Sequence, residues 1–409
     1  MDCIIIGGGA SGLAAASALT AAGADTAIIE RLDRVGKKLL STGNGRCNLS
    51  NAVMDADCYG CAAPFVRRVY DATPPGEVMR FWDALGLMTA CEDGRIYPRT
   101  MAASSVLDAL RAGCTRARLI APAQAISLRP GRRSGMTVSL SDGQTLSAPA
   151  VLAAMGGSAA PHLGTDGAGT QLLGGLGHSV TPLYPALVQL RCVHPALRAL
   201  KGLRTQAALT LEIDGHEAAH ETGELLFADY GVSGVCVFQL SGMAAQALGE
   251  GQSVRLLVNL LPDVPGNALP GWLDARIDRF PDRGTQALMT GVLPRLLAQS
   301  VLRQAQLEPD APAASLTRRE KAALLDALRA FPLAVTGTQG FRSAQVTRGG
   351  VALDEVDPGT MRSRLFDGLY LAGEVLDVDG PCGGYNLHFA VASGLTAAKA
   401  ILARLQKGQ

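Results

Sequence analysis

Short apolar runs that end in glycine clusters mark both ends of this chain, while its middle alternates apolar and polar positions. Near the start, Asp2-Cys3-Ile4-Ile5-Ile6 runs into Gly7-Gly8-Gly9-Ala10-Ser11-Gly12 and then an Ala/Leu-rich helical stretch; a second run, Thr26-Ala27-Ile28-Ile29, stops at Glu30. Continuous apolar runs of this length predict strands buried on both faces, and the helical stretch between them predicts a parallel βαβ unit. Residues 64–88 predict a helix with Phe65, Val69, Val78, Phe81, Trp82 and Leu85 on a mixed apolar face, and Ser104 to Ala112 predicts another. Met136 to Leu140 and Thr145 to Ala148, joined by Ser141-Asp142-Gly143-Gln144, predict a hairpin, and Ala150-Val151-Leu152-Ala153-Ala154-Met155 a buried strand that ends at Gly156-Gly157.

From about Arg191 the character changes. Gln206 to Ile213 alternates as a strand, Gly223-Glu224-Leu225-Leu226-Phe227 begins another, and Gly231-Val232-Ser233-Gly234 predicts a turn before the apolar run Val235 to Leu240, which continues the strand-rich stretch. Residues 266–330 predict helices, with Leu288, Val292, Leu293, Leu296 and Leu297 at helical spacing. The end returns to the style of the start: strand Leu369-Tyr370-Leu371-Ala372, then Gly373-Glu374, then a glycine-rich turn into a helix from Asn386 to Leu405.

The first glycine cluster has the complete context of a dinucleotide-binding turn. Gly7 permits the tight turn, Gly9 lets backbone N–H groups approach a pyrophosphate, and Gly12 lets the helix pack against the strand; the helix N-terminus, with Ala10 and Ser11, favours the anion. Glu30, with Arg31 beside it, stands eighteen residues after Gly12, where a carboxylate accepts ribose hydroxyls. A second glycine-rich loop, Gly36-Lys37-Lys38-Leu39 through Thr42-Gly43-Asn44-Gly45-Arg46-Cys47-Asn48, carries hydrogen-bonding and basic side chains suited to the far side of a dinucleotide.

Composition narrows the class further. With 409 residues the chain accommodates two or three domains, and a net charge of +1 lacks the concentrated basic footprint of a nucleic-acid-binding protein. Nine cysteines, an odd number without framework spacing, suit reduced thiols and a cytoplasmic location. The N-terminus has no basic region of a signal peptide, and no long uncharged apolar run suggests a membrane span. Cys58-Tyr59-Gly60-Cys61 has redox spacing without the surrounding motif, and His216 and His220 lie in a strand-and-turn region, so no metal site is expected. Gly164-Thr165-Asp166-Gly167-Ala168-Gly169 follows no strand, so it is not read as a second nucleotide turn.

An N-terminal fingerprint paired with a C-terminal strand ending in Gly-Glu is how two-segment FAD domains are built. The chain resembles the BaiN/YhiN-like flavoproteins, described as NAD(P)/FAD-dependent oxidoreductases or the aminoacetone oxidase family. The resemblance spans essentially the whole chain. It rests on the two glycine loops, Gly94-Arg95-Ile96-Tyr97-Pro98, Gly223 to Phe227 with Ser233-Gly234, Val346-Thr347-Arg348-Gly349-Gly350-Val351, and Gly373-Glu374-Val375-Leu376-Asp377-Val378-Asp379-Gly380 with Gly383-Gly384-Tyr385-Asn386-Leu387. It implies an α/β fold: a two-segment FAD-binding Rossmann-like domain (1–190 and 343–409) interrupted by an insert (191–342) with a β-barrel-like part (191–262 and 331–342) and a small helical subdomain (263–330).

The resemblance also implies roles. Gly7, Gly9 and Gly12 would hold the pyrophosphate and Glu30 the adenosine ribose, with Lys38, Gly43, Asn44, Gly45, Arg46, Cys47 and Asn48 along the pyrophosphate and ribityl chain. Gly156, Gly373, Glu374 and Asp377 would lie near the ribityl or phosphate region, and Gly384, Tyr385, Asn386 and Leu387 would place a helix N-terminus under the flavin, stabilising its reduced anionic form. The sequence departs from the family at Ala153-Ala154-Met155-Gly156-Gly157 and at His388-Phe389. Tyr385 and His388 are the candidate proton donors for hydride reduction of an enone. The implied reaction is NAD(P)H-driven reduction of a ketone-conjugated C=C bond, in a steroid or bile-acid-like small molecule, with NADPH or NADH binding transiently at a flavin that lies between the dinucleotide domain and the insert. Oxidation of a small aminoketone by oxygen and a non-catalytic redox-sensing role stand as alternatives. Oligomeric state is not readable from the sequence.

Overall fold

The computed structural model describes residues 1–131 and 135–407. The chain divides into two compact units, one formed by residues 1–185 with 341–409 and the other by residues 186–340.

The first unit is built on a seven-stranded sheet in the order Val356–Asp357, Arg362–Ser363, Leu369–Leu371, Ala150–Ala153, Cys3–Ile6, Thr26–Ile29, Arg118–Ile120. The last five of these are mutually parallel, with Ile4 opposite Val151 on one side and Ala27 on the other. Each residue of Cys3–Ile6, Thr26–Ile29 and Ala150–Ala153 is buried, as expected where helices cover both faces. Helix Ala10–Ala21 packs closely against helix Tyr385–Lys407: a Cβ at Gly394 would lie 2.4 Å from the Ser11 carbonyl oxygen. The two ends of the chain therefore meet across one small-residue seam.

The helical stretch expected at 64–88 is two helices, Ala63–Ala72 and Pro75–Ala84. Pro74 and Pro75 break it, because a residue preceding proline is driven out of the helical region and Thr73 takes φ −138°. The hairpin at Met136–Leu140 and Thr145–Ala148 forms with Val138 opposite Leu146.

The second unit contains a closed six-stranded barrel, ordered Leu190–Val193, Gly231–Ser233, His216–Ala228, Arg204–Ile213, Val254–Asn259, Phe331–Thr338. Leu209, Leu211, Leu225, Phe227, Leu256, Val258, Phe331 and Leu333 form its buried core. His216 and His220 lie on a barrel strand, where His220 Nδ1 pairs with the Thr210 hydroxyl at 3.0 Å. The run Val235 to Leu240, read as part of a strand-rich stretch, is instead the start of helix Val235–Gly249. Gly234 at φ +125° turns the chain off the preceding strand, and the Ala-rich residues that follow favour the helix over the β-branched start. Helices Leu269–Arg279, Arg295–Gln304 and Arg318–Arg329 complete this unit, the last opened by a capping box between Thr317 and Glu320.

Among the described residues, no helix is long and apolar enough to cross a membrane.

Candidate flavin site

The fingerprint glycines do two different jobs. Gly7 sits at φ +107°, and a Cβ there would lie 2.3 Å from the Ala154 carbonyl oxygen; a Cβ at Gly12 would lie 2.0 Å from the Gly7 carbonyl oxygen. Both are required by packing. At Gly9 an added Cβ would meet nothing within 4 Å. This open flank lies at the N-cap of helix Ala10–Ala21, whose first turn has no acidic residue and no side-chain cap. Its leading N–H groups have no intrahelical acceptor, so the turn offers donors and dipole to an anion. The cradle fits the pyrophosphate of FAD.

Glu30 ends the second strand with its carboxylate held by two backbone donors, Gly8 N at 2.9 Å and Leu32 N at 2.8 Å. These contacts fix its orientation at the lip of the same turn. Arg31 turns to Asp166 at 2.6 Å, which ties the following loop to 164–167. Lys38 pairs with Glu374 at 2.5 Å, and the other carboxylate oxygen of Glu374 accepts from Thr347 N at 2.8 Å. Thr347 is a residue to which sequence reasoning gave no role. Its hydroxyl accepts from Ser158 N (2.7 Å) and Ala159 N (2.9 Å), joining the loop after Gly156 to Glu374. Gly156, at φ +74°, faces Thr165, and Gly373, at φ +75°, faces the Ser11 hydroxyl at a virtual Cβ distance of 2.6 Å.

The second glycine loop is shaped by its backbone. Gly43, Asn44, Gly45 and Cys47 all take positive φ, between +54° and +85°. Arg46 leaves the loop: its guanidinium stacks 4.4 Å from the Tyr97 ring centroid and pairs with Glu92, on the two strands of the Thr89–Pro98 hairpin. Cys47 is buried, and desolvation pushes its thiol up to about 11. With its amide oriented to suit its neighbours, Asn48 donates to Ser50 O (2.8 Å) and Ile96 O (3.1 Å) and accepts from Gly384 N (3.1 Å).

Around the start of the last helix, polar side chains close a turn. Gly384, at φ +98°, packs against Ser50, where a Cβ would lie 2.3 Å from its carbonyl oxygen. Asn386 accepts from Gly380 N (2.8 Å) and donates to Gly380 O (2.7 Å), so this side chain clamps residues 380–386. Leu387 is half-buried against the first unit's core.

The two candidate proton donors differ sharply. Tyr385 donates its hydroxyl to Val53 O at 3.0 Å, while its own carbonyl accepts from Tyr59 OH at 2.8 Å. Burial, then the neighbouring Cys58 thiol, pushes its phenol up to about 12. His388, the other candidate donor, is fully enclosed. One helical turn separates it from Gly384, and that places it inside the helix packing. Its Nδ1 pairs with the Ser50 hydroxyl at 2.8 Å, its ring meets Tyr70 edge-on at 5.6 Å, and Nε2 has no partner among the described residues. Desolvation lowers its pKa to about 4, so the imidazole is neutral at pH 7.

Asp377 accepts from the Thr181 hydroxyl at 3.0 Å. Two residues on, Asp379 has its nearest cation, Arg348 Nε, at 3.6 Å. Burial first, and Asp377 in addition, hold its carboxyl above the ordinary range against the pull of Arg348. The sequence signal for Asp379 was present in the Gly373 to Gly380 motif, but spacing alone gave no reason to separate it from Asp377.

Known proteins resemble this chain in sequence along its length. The 3-dehydro-bile acid delta(4,6)-reductase of Clostridium scindens is 39% identical over 405 residues, covering 98% of each chain. A ribosomal RNA dihydrouridine synthase of Escherichia coli is 29% identical over 419 residues, again covering 98% of each. Among solved structures, an E. coli quinol fumarate reductase FrdA superposes with a TM-score of 0.51 at 14% identity, over all of this chain and 71% of the other, a likeness of fold. The family model described as "HI0933-like protein Rossmann domain" matches residues 1–400. With the open pyrophosphate cradle and its two-segment sheet, the chain belongs to this HI0933-like family, and it is an FAD-dependent oxidoreductase.

Proposed function

We propose that this enzyme reduces a C=C bond conjugated to a ketone, in a steroid or bile-acid-like molecule, with electrons from NADPH or NADH. The observation that carries this reading is the full-length similarity to a 3-dehydro-bile acid reductase at 39% identity. The second relative supports the reaction type. Forming dihydrouridine saturates a ring C=C conjugated to a carbonyl, so both named activities end in the same bond change on different substrates.

When bound, FAD supplies hydride to the β-carbon of such a substrate. The chain supplies everything else. Gly9 and the amides of the first helix would hold the pyrophosphate, Lys38, fixed by Glu374, would add a cation, and the last helix would turn its N-terminus toward the flavin. The α-carbon requires a proton from a group within hydrogen-bond reach. In this reading Tyr385 and His388 are positioning residues: Tyr385 pins the bend at Val53, and His388 pins Ser50.

A specific observation favours a second reading, uridine in RNA: the 29% identical dihydrouridine synthase. The near-neutral net charge of +1 weighs against it. One anaerobic experiment separates the two. The flavin is reduced with NADPH or NADH, then mixed with 3-oxo-4-ene steroids or with ribosomal RNA. Reoxidation by the enone is expected. Reoxidation by RNA alone, with dihydrouridine found by mass spectrometry, assigns the second reading. A flavin that neither nucleotide bleaches overturns the nicotinamide-driven proposal.

A further inference from the structure

We propose that Thr347 is a positioning residue for bound FAD: its hydroxyl and its backbone N–H lock loop 156–159 and the Lys38–Glu374 pair into one unit, so that the two hold the cofactor jointly. This rests on the reading above that Lys38 adds its charge beside the pyrophosphate. Three segments meet at Thr347, each following a parallel strand of the first unit's sheet. Loop 156–159 follows Ala150–Ala153, Glu374 follows Leu369–Leu371, and Lys38 lies in helix Lys37–Ser41, which follows Thr26–Ile29. The carboxyl ends of parallel strands are where open sheets of this kind bind their ligands.

Thr347 itself is fully enclosed. Its hydroxyl accepts from Ser158 N at 2.7 Å and from Ala159 N at 2.9 Å, which occupies both lone pairs of the oxygen. Its own N–H donates to Glu374 Oε1 at 2.8 Å, and Glu374 Oε2 is left to Lys38 Nζ at 2.5 Å. A glycine lets these groups converge: a Cβ at Gly157 would lie 2.4 Å from Thr347 Oγ1 and 3.2 Å from Glu374 Oε1. The segment that carries Thr347 is braced from behind, where a Cβ at Gly349 would lie 2.2 Å from the Pro182 carbonyl oxygen and one at Gly350 would lie 2.5 Å from the Leu376 carbonyl carbon. Ala160 N donates to Phe341 O at 2.8 Å, so the loop and this returning segment are joined twice.

The chemistry of the position follows from the oxygen atom. Two adjacent backbone N–H groups converge on it in buried surroundings, and valine, of nearly the same shape, would leave both without an acceptor. The loop must then shift toward water. Because Gly157 packs on Thr347 and on Glu374 together, the carboxylate that orients Lys38 shifts with it. Serine supplies the same oxygen and keeps the arrangement. Thr347 thus acts on the cofactor only through the loop and through Lys38, whose side chain is 22% exposed and free to face an anion.

The test is a double-mutant cycle on FAD affinity, read from flavin fluorescence as each holoenzyme is diluted, with Tm measured alongside. Thr347→Val should raise the FAD Kd by about 10-fold or more, and Thr347→Ser should stay within about 3-fold of wild type. Lys38→Met should weaken binding by about 10-fold on its own. In the double variant the combined loss should fall short of the product of the two by about 3-fold or more, because the threonine has no lysine left to position. If Thr347→Val gives no soluble holoenzyme, Thr347→Cys, whose sulfur is a weaker acceptor at the same atom, runs the same cycle. Losses that multiply to within about 2-fold overturn the positioning role, as does a variant whose Tm falls while its FAD Kd holds. Failure of serine to restore binding does the same. A Lys38→Met protein that binds FAD as wild type does overturns the placement of Lys38, and the role of Thr347 with it.

Discussion

The two glycine-rich regions of the candidate site are held in shape by different physics. In the fingerprint turn, Gly7 and Gly12 meet backbone atoms at virtual Cβ distances of 2.3 and 2.0 Å, with a single side-chain contact, from Gly8 N to Glu30, beside them. Around Thr42–Asn51 and the start of the last helix, the closures are side-chain hydrogen bonds: Asn48 to Gly384, Ser50 to His388, Asn51 to Gly383, Tyr385 to Val53 and Asn386 to Gly380. Steric closure ignores pH and tolerates almost no substitution. Polar closure tolerates substitution in increments and responds to protonation. One half of the site is thus rigid by exclusion, and the other is adjustable.

The strongest way to break the contrast is Gly12→Ala, which drives a methyl into the Gly7 carbonyl. We expect a loss of about 3 kcal/mol or more, read as a collapse of soluble yield or a large drop in Tm. A fall under about 1 kcal/mol would mean the fingerprint turn has slack.

Next in size is the pH response. His388 has a folded pKa near 4 against an ordinary 6.5, so the unfolded chain binds the extra proton between those values. Its contribution to stability is complete above pH 6.5 and is lost progressively down to about 4, on the order of 3 kcal/mol in total. Urea melts from pH 7.5 to 4 should show this slope, and His388→Gln should flatten it; an unchanged slope refutes the assignment.

Asn386→Ala should cost about 2 kcal/mol by leaving Gly380 N–H and C=O unpaired, and should weaken FAD retention in the same measurement series. The smallest stability effect is the most discriminating. Gly9 has φ −85° and an open flank, so Gly9→Ala should raise stability by about 0.5 kcal/mol while lowering FAD affinity, because the new methyl stands where the pyrophosphate approaches. Calorimetry and flavin release by dilution check the two signs separately. Loss of stability together with affinity would place Gly9 with Gly12 after all.

The rigid half was almost wholly legible in the sequence. Its glycines, strands and helix are contiguous, so local spacing carries the geometry from Ile6 to Glu30. The adjustable half depends on partners more than 300 residues apart, as between Ser50 and His388, and no local pattern announces such pairs. For that reason no local pattern foretold that the Arg46 guanidinium stacks on Tyr97 or that His388, a candidate proton donor, is enclosed. Val235 to Leu240 failed for another reason: β-branched residues at a helix start look like a strand until the alanines that follow are weighed.

The pairing of strand Leu369–Leu371 with Ala150–Ala153 has a consequence for how the protein is made. On the ribosome, the edge of Ala150–Ala153 emerges more than 200 residues before the strand that covers it. At ordinary translation speeds that bare edge waits on the order of ten seconds or longer. Residues 186–340, contiguous in sequence, complete their own barrel within that interval. A nascent chain stalled before Leu369 should therefore protect its barrel from protease while its first 185 residues remain open to digestion and to chaperones. For this enzyme, the cofactor site is the last part of the molecule to exist.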